Sequence, residues 1–211
     1  MEITSYILAA IAAYLLGSIP TGYLVARARG IDIRSVGSGN IGATNVFRIL
    51  GKSAGIFVLL VDFLKGFLAC WMVARIAGQF FESTPSQKDY LALTSGLAAI
   101  LGHNYTCWLK FKGGKGIATS AGVLAALFPK VFLIGLALWL LVFLVSRYVS
   151  LASIVAAASL PVSAWLTGSS PVMIGVAFFM GALAVYKHKS NIQRLMNGTE
   201  SRIGKKKEAG Q

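Results

Sequence analysis

Hydrophobic positions along the chain gather into seven runs, near residues 3–26, 54–78, 90–109, 117–128, 131–145, 151–166 and 172–186. Short stretches dense in Gly, Ser, Asn, Lys and Arg separate them. Several runs approach the roughly 20 residues that a helix needs to cross a bilayer. The run at 117–128 is shorter, and Pro129 with Lys130 breaks it from the next. That pair reads as a helical hairpin whose first arm is tilted or only partly spanning. The pattern predicts an all-α polytopic membrane helix bundle of about seven transmembrane helices. Residues 1–200 read as one integral membrane domain, and 201–211 as a basic, disordered tail.

Composition strengthens that reading. Of 211 residues, 56% are hydrophobic and only 13% charged, and the mean hydropathy is +0.71. A soluble domain carries about 25% charged residues, so this chain cannot clothe a water-facing surface. Twenty basic residues against seven acidic ones give a net charge of +13, which raises nucleic acid as a partner until the charges are placed. Seven crossings put the termini on opposite sides, and with the N-terminus outside 16 of the 20 basic residues fall on one face. Arg75, Lys88 and Lys130 take the other face, and Lys65 alone lies within the membrane. The positive-inside bias makes the C-terminus cytoplasmic and turns the basicity into a topology signal, with no nucleic-acid partner. The first run is a retained helix and no cleaved signal peptide, because Glu2 leads it and its arginines follow it. Cys70 and Cys107 lack metal or redox spacing and read as small packing residues. No metal or cofactor is called for.

Four polar stretches share the basic face: "VGSGNIGATNVFR" (36–48), "LGHNYTCWLKFKGGKGIAT" (101–119), "SRYVSLAS" (146–153) and "YKHKSNIQRL" (186–195). Together they look like a single assembled site. The first contains G-x-G-x-x-G at Gly37, Gly39 and Gly42, with Asp62 twenty residues on. A dinucleotide fingerprint needs a strand before the glycines, whereas here a membrane helix precedes them and Asp62 sits inside an apolar run. What survives is anion chemistry: glycines expose backbone amides, Ser38, Asn40, Thr44 and Asn45 add side-chain donors, and Arg48 offers a planar fork for phosphate.

In "FKGGKG", Lys112 and Lys115 flank Gly113 and Gly114 just before an apolar helix. Gly116 follows Lys115 where a Walker A loop needs Ser or Thr, so the stretch reads as an anion nest at a helix N-terminus, with Lys115 as its point charge. Gly96, Ala99 and Gly102 form a small-residue seam for close helix packing. Asp62 and Lys65, three apart on one face, read as a self-neutralising pair or as a charge beneath the site; either alone would cost about 2.5–3.5 kcal/mol in a membrane. His188 shares a helical face with Asn191. Neither His103 nor His188 begins an H-x-x-x-x-D motif, since Trp108 and Gln193 stand at the fifth position after each.

On these residues the chain resembles the bacterial PlsY family, the acyl-phosphate:glycerol-3-phosphate acyltransferases. "GSIPTGYL", "GSGNIGATN", "DFLKG", "GH…FKGGKG", "RYVSLAS" and "N-I-x-R-L…GTE" occur in that family's order from Leu15 to Glu200. The resemblance implies an enzyme of the bacterial inner membrane with its site facing the cytoplasm. It implies catalytic roles for Ser38, Arg48, Lys115 and His188, and substrate contacts at Asn40, Thr44, Asn45, Gly113, Gly114, Ser153 and Asn191. Its partners would be glycerol 3-phosphate, acyl phosphate and membrane lipid, and the protein a monomer. Two positions depart from the family pattern: Ser190 stands where Glu is usual, and Thr106 replaces a common proline.

The implied chemistry suits the residues. Both substrates carry phosphate, and a mixed anhydride is already activated. The site therefore needs positioning, charge stabilisation and removal of one proton, and direct transfer requires no Ser-His-Asp set. A carrier of organic phosphates also predicts cationic loops, although carriers usually show related halves and a midplane ligand. A lipid-binding scaffold is the third reading.

Overall fold

The structure, a computed structural model, describes residues 2–204. All regular structure among them is helical: α1 (Glu2–Ser18), α2 (Thr21–Arg27), α3 (Ala43–Leu50), α4 (Lys52–Leu68), α5 (Ala74–Phe80), α6 (Pro85–Asn104), α7 (Ile117–Leu127), α8 (Pro129–Ser146), α9 (Val149–Leu166), α10 (Pro171–Lys187) and α11 (Lys189–Met196). One compact unit ends at Pro129 and a second begins at Lys130. Four stretches among the described residues are long and apolar enough to cross a membrane: Ile3–Arg27, Lys52–Phe80, Pro129–Ser146 and Val149–Leu166. The α10–α11 pair, bent by 57°, makes a fifth if it counts as one span, and α7 is shorter. Of the tail expected to be disordered over 201–211, residues 205–211 lie outside the described residues.

In the first unit, α1 packs along α6 and α4 along α7. Both seams depend on glycine. A side chain at Gly17 would meet the Ala99 backbone, and one at Gly102 the backbone of Tyr14 and Ser18. Gly66 lies against Thr119, and Gly122 against Phe63 and Phe67. Where apolar side chains gain little by leaving lipid, such close backbone contact is what holds helices together. The predicted single seam is divided: Ala99 and Gly102 turn to α1, whereas Gly96 turns to Cys70 and Val123.

Local chemistry sets the breaks. Pro20 has no N–H, and the first apolar run splits there into α1 and α2. The second run continues from α4 to α5 through a π-helical turn, Ala69–Val73. Helix α6 starts at Pro85, five residues before its apolar run. Thr84 accepts from the Gln87 N–H while the Gln87 side chain accepts from the Thr84 N–H, a reciprocal cap. It ends at Asn104, before the run ends, because the chain turns off at Tyr105 (φ −136°) into a 3₁₀ turn, Cys107–Leu109. Pro129 is the first residue of α8, and the break before it falls at Phe128.

In the second unit, α9 and α10 pack with Gly181 against the Ala157 carbonyl. The segment after α11 folds back: the Ile203 N–H donates to the Arg147 carbonyl (3.0 Å), and Arg202 lies 4.8 Å over the Tyr148 ring.

Candidate functional site

The first glycine-rich loop is built around one side chain. Asn45, in the first turn of α3, is buried. Its Oδ1 accepts from the Ser38 N–H (2.9 Å), and its Nδ2 donates to the carbonyls of Ile33 (3.2 Å), Val36 (3.1 Å) and Asn40 (2.9 Å). Gly37 (φ +61°) lies so close to the Asn45 amide that a side chain there would run into it. Asn40 Oδ1 accepts from the Gly42 N–H (2.9 Å) at the entry to α3. The one acid between Arg27 and Arg48, Asp32, is held by Arg34 through Nε (2.9 Å), Nη2 (2.7 Å) and the backbone N–H (3.0 Å). Those hydrogen bonds, side chain first and backbone second, bring its carboxyl down to about 2. Ser38 is exposed, while Thr44 and Arg48 are half-buried on α3.

The second loop is moulded on the end of α6. The Gly113 N–H donates to the Asn104 carbonyl (3.3 Å), and the Gly114 N–H to the His103 carbonyl (3.0 Å). A Cβ at Gly113 would meet the His103 carbonyl, one at Gly114 the His103 ring, and one at Gly116 the Asn104 side chain. All three glycines are therefore demanded by packing alone. The loop turns through two successive left-handed residues, Lys110 (φ +54°) and Phe111 (φ +59°). Its anchor is Thr106: Oγ1 donates to the Ser18 carbonyl (2.6 Å), and the carbonyl accepts from the Phe111 N–H (2.9 Å). Lys115 is half-buried just before α7, whose first turn has no side-chain cap, so the amides of Ile117, Ala118 and Thr119 lack intrahelical acceptors.

One apolar cluster joins these loops within the first unit. Leu109, from the turn ahead of the second loop, shares an apolar cluster with Ile33, Ile41 and Val46 of the first. Beneath them, Asp62 Oδ1 accepts from Lys65 Nζ (2.9 Å) and Thr21 Oγ1 (3.1 Å), and His103 Nδ1 stands 3.7 Å from it. Lys65 Nζ also donates to the Ile19 carbonyl (3.0 Å) at the α1–α2 break. The charge pair is thus self-neutralising, and it ties α2 to α4, with His103 of α6 alongside. A cleft of about 640 Å³ elsewhere in this unit is lined by Trp71, Arg75, Lys88 and Leu127 among others, and takes nothing from either loop.

The second unit contributes a different cluster. Glu200 is buried and accepts from Ser150 Oγ (2.9 Å) and Asn191 Nδ2 (2.8 Å) at Oε1, and from Arg194 Nε (2.7 Å) at Oε2. Burial pushes its carboxyl up, but the three donors and the Arg194 charge together hold it below its ordinary value. His188 sits at the α10–α11 bend, and its Nδ1 lies 2.8 Å from the Ala184 carbonyl. A carbonyl only accepts, so Nδ1 carries the proton and the lone pair of the neutral ring is on Nε2. Ser153 is buried, donating to the Val149 carbonyl (2.8 Å) and accepting from Trp139 Nε1 (3.1 Å).

Several sequence expectations change as a result. Asn45 shapes its loop and has its amide committed there. Gly113 and Gly114 have used their N–H groups on the carbonyls of Asn104 and His103. The Ser153 hydroxyl proton is already engaged. Sequence reading missed Glu200 as the hub of Ser150, Asn191 and Arg194; a lone acid in a basic segment was the available signal. It also assigned no role to His103 and Asn104, whose adjacency to three glycines only the fold reveals.

The family model described as glycerol-3-phosphate acyltransferase matches residues 7–198. Relatives bearing that description include one from Geotalea daltonii, 46% identical over 94% of this chain and 97% of its own. Another, from Clostridioides difficile, is 44% identical over 99% of this chain and 100% of its own. Among solved structures, the crystal structure of PlsY (YgiH), an integral membrane glycerol 3-phosphate acyltransferase, superposes in its glycerol 3-phosphate form with a TM-score of 0.84. Its lysophosphatidic acid form gives 0.82. Both are 44% identical and cover 95% of this chain and 96% of theirs.

Proposed function

The chain belongs to the glycerol-3-phosphate acyltransferase family, and from that premise we propose that it moves a fatty acyl group from acyl phosphate to the 1-hydroxyl of glycerol 3-phosphate. The products are lysophosphatidic acid and phosphate. One observation carries the reading: near-complete likeness to an enzyme known in both a glycerol 3-phosphate form and a lysophosphatidic acid form. Those two molecules differ by one acyl group on one hydroxyl.

The substrate hydroxyl oxygen attacks the carbonyl carbon of the acyl phosphate, the carbonyl–oxygen bond to phosphate breaks, and phosphate departs with the bond's electron pair. Arg48 and Lys115 hold the phosphate groups, the first by a planar fork and the second as a point charge. Ser38, Asn40 and Thr44 add donors from the first loop, and the first-turn amides of α7 replace those of Gly113 and Gly114. The hydroxyl proton passes to a substrate phosphate oxygen, an acceptor that the bound substrates themselves supply. Seven crossings with a cytoplasmic C-terminus, in a bacterial inner membrane, fit the one-sided distribution of basic residues. The acyl chain then lies among helices in hydrocarbon, and the enzyme works as a monomer.

Detergent-purified protein given glycerol 3-phosphate and a choice of acyl phosphate, acyl-CoA or acylated carrier protein tests the donor. Lysophosphatidic acid should form with acyl phosphate alone. Turnover only with a thioester would overturn the donor assignment, and an acyl ester trapped on Ser38 would overturn direct transfer.

A further inference from the structure

The buried group formed by Asp62, Lys65 and His103 is placed to do more than neutralise itself. Its members come from two helices, α4 and α6. Asp62 takes hydrogen bonds from Lys65 and Thr21 and has His103 Nδ1 3.7 Å away. All three side chains are at most 5% exposed. The opposite edge of the same ring is the surface on which Gly114 rests, since a Cβ there would fall on His103 Nε2. His103 also accepts the Gly114 N–H at its carbonyl, and the next residue, Asn104, accepts that of Gly113 and packs against Gly116. Lys115 is the residue between those two contacts. The ring is therefore wedged between a fixed carboxylate and the loop backbone, and any shift of it is passed on to the loop.

We propose that His103, backed by Asp62 and Lys65, is a positioning residue that fixes the height of the Gly113–Lys115 loop and so sets the affinity for the phosphate of glycerol 3-phosphate. This rests on the function proposed above. It assigns His103 no contact with substrate and no proton transfer. A displacement of about 1 Å at a binding group is enough to cost on the order of 100-fold, so the width of the ring between its two nitrogens makes it a sensitive support. A purely structural role would instead lower the amount of folded enzyme and leave its affinities unchanged.

The test is a double-mutant cycle between His103→Ala and Gly114→Ala, read by the KM and directly measured Kd for glycerol 3-phosphate, with kcat and the KM for acyl phosphate alongside. Each single change should raise the glycerol 3-phosphate KM at least tenfold, with kcat and the acyl phosphate KM moving less than threefold. In the double variant the new methyl occupies space the ring has vacated, so the second change should add less than threefold. His103→Gln, which keeps a planar polar group, should recover most of the affinity. An unchanged KM in folded His103→Ala, or two effects that simply multiply, would overturn the proposal. Should the wild type fail to turn over, the function falls first, and amide exchange then judges the positioning role separately. His103→Ala must speed exchange of the Gly113 and Gly114 amides with the α4 amides unmoved, and unaltered exchange refutes it. If His103→Ala does not fold, His103→Gln and Gly114→Ala, measured by the same KM and exchange readouts, decide the matter.

Discussion

Replacing Glu200 by Gln tests whether the second unit depends on the network that this carboxylate gathers. The shape is kept and the charge removed. With the amide oxygen at the Oε1 position, Ser150 and Asn191 keep their acceptor at 2.9 and 2.8 Å. The amide nitrogen then faces the Arg194 Nε–H that Oε2 accepted at 2.7 Å, donor against donor. Losing that charge-assisted bond costs about 1.5–3 kcal/mol, and reducing the other two to neutral bonds costs about 0.5 kcal/mol each. The Arg194 side chain is 35% exposed and can turn to water, which returns part of the loss. A net destabilisation of about 2–3 kcal/mol is expected, which lowers the unfolding midpoint by roughly 5–10 °C for a chain of this size. Thermal unfolding in detergent followed by tryptophan fluorescence measures it. The effect also has a pH signature: a carboxyl held below its unfolded value contributes stability above that value, about 4.3, and loses it as the pH falls through the lowered folded value. The gap between wild type and Glu200→Gln should thus narrow below about pH 4. A midpoint within one degree of wild type at pH 7 would refute the network's role.

Other changes probe the first unit. Arg48→Lys keeps charge but loses the fork, and should raise the glycerol 3-phosphate KM about tenfold in steady-state assays. Lys115→Ala should raise it on the order of 10- to 100-fold, the loss of one charge-assisted contact. Gly22→Ala would drive a methyl into the Ile41 carbonyl, so unfolding should show a loss of about 1–3 kcal/mol together with reduced activity. Phe111→Gly should gain about 0.5–1 kcal/mol in thermal unfolding, since its left-handed backbone (φ +59°) suits glycine.

The fold was legible where lipid dictates it. Each apolar run became helical, because in hydrocarbon a single strand of chain has no other way to satisfy its backbone. The boundaries were less so. The polar first turns of α6, held by the Thr84–Gln87 cap, do not look like part of a membrane helix, and Trp108 and Leu109 prolong an apolar run after the helix has ended. Helix α3, inside the glycine-rich loop, is eight residues long and leaves too short a periodic signal to read. The residue types of the site were visible as an excess of glycine and cations. Their division of labour was not: Asn45 and the paired glycines look like ligand donors until the carbonyls they serve are brought beside them. Asp62 and Lys65 announced a pair by spacing, but Thr21 and His103 reach them across 41 residues each, which no local pattern encodes.

The central claim is acyl transfer to glycerol 3-phosphate by this chain alone. Its most direct measurement is a product balance in detergent, where no compartment exists, using purified protein, acyl phosphate and glycerol 3-phosphate. Lysophosphatidic acid acylated at the 1-position and inorganic phosphate should appear in equal amounts. Saturable binding of both substrates without any lysophosphatidic acid would contradict it and favour a carrier of organic phosphates.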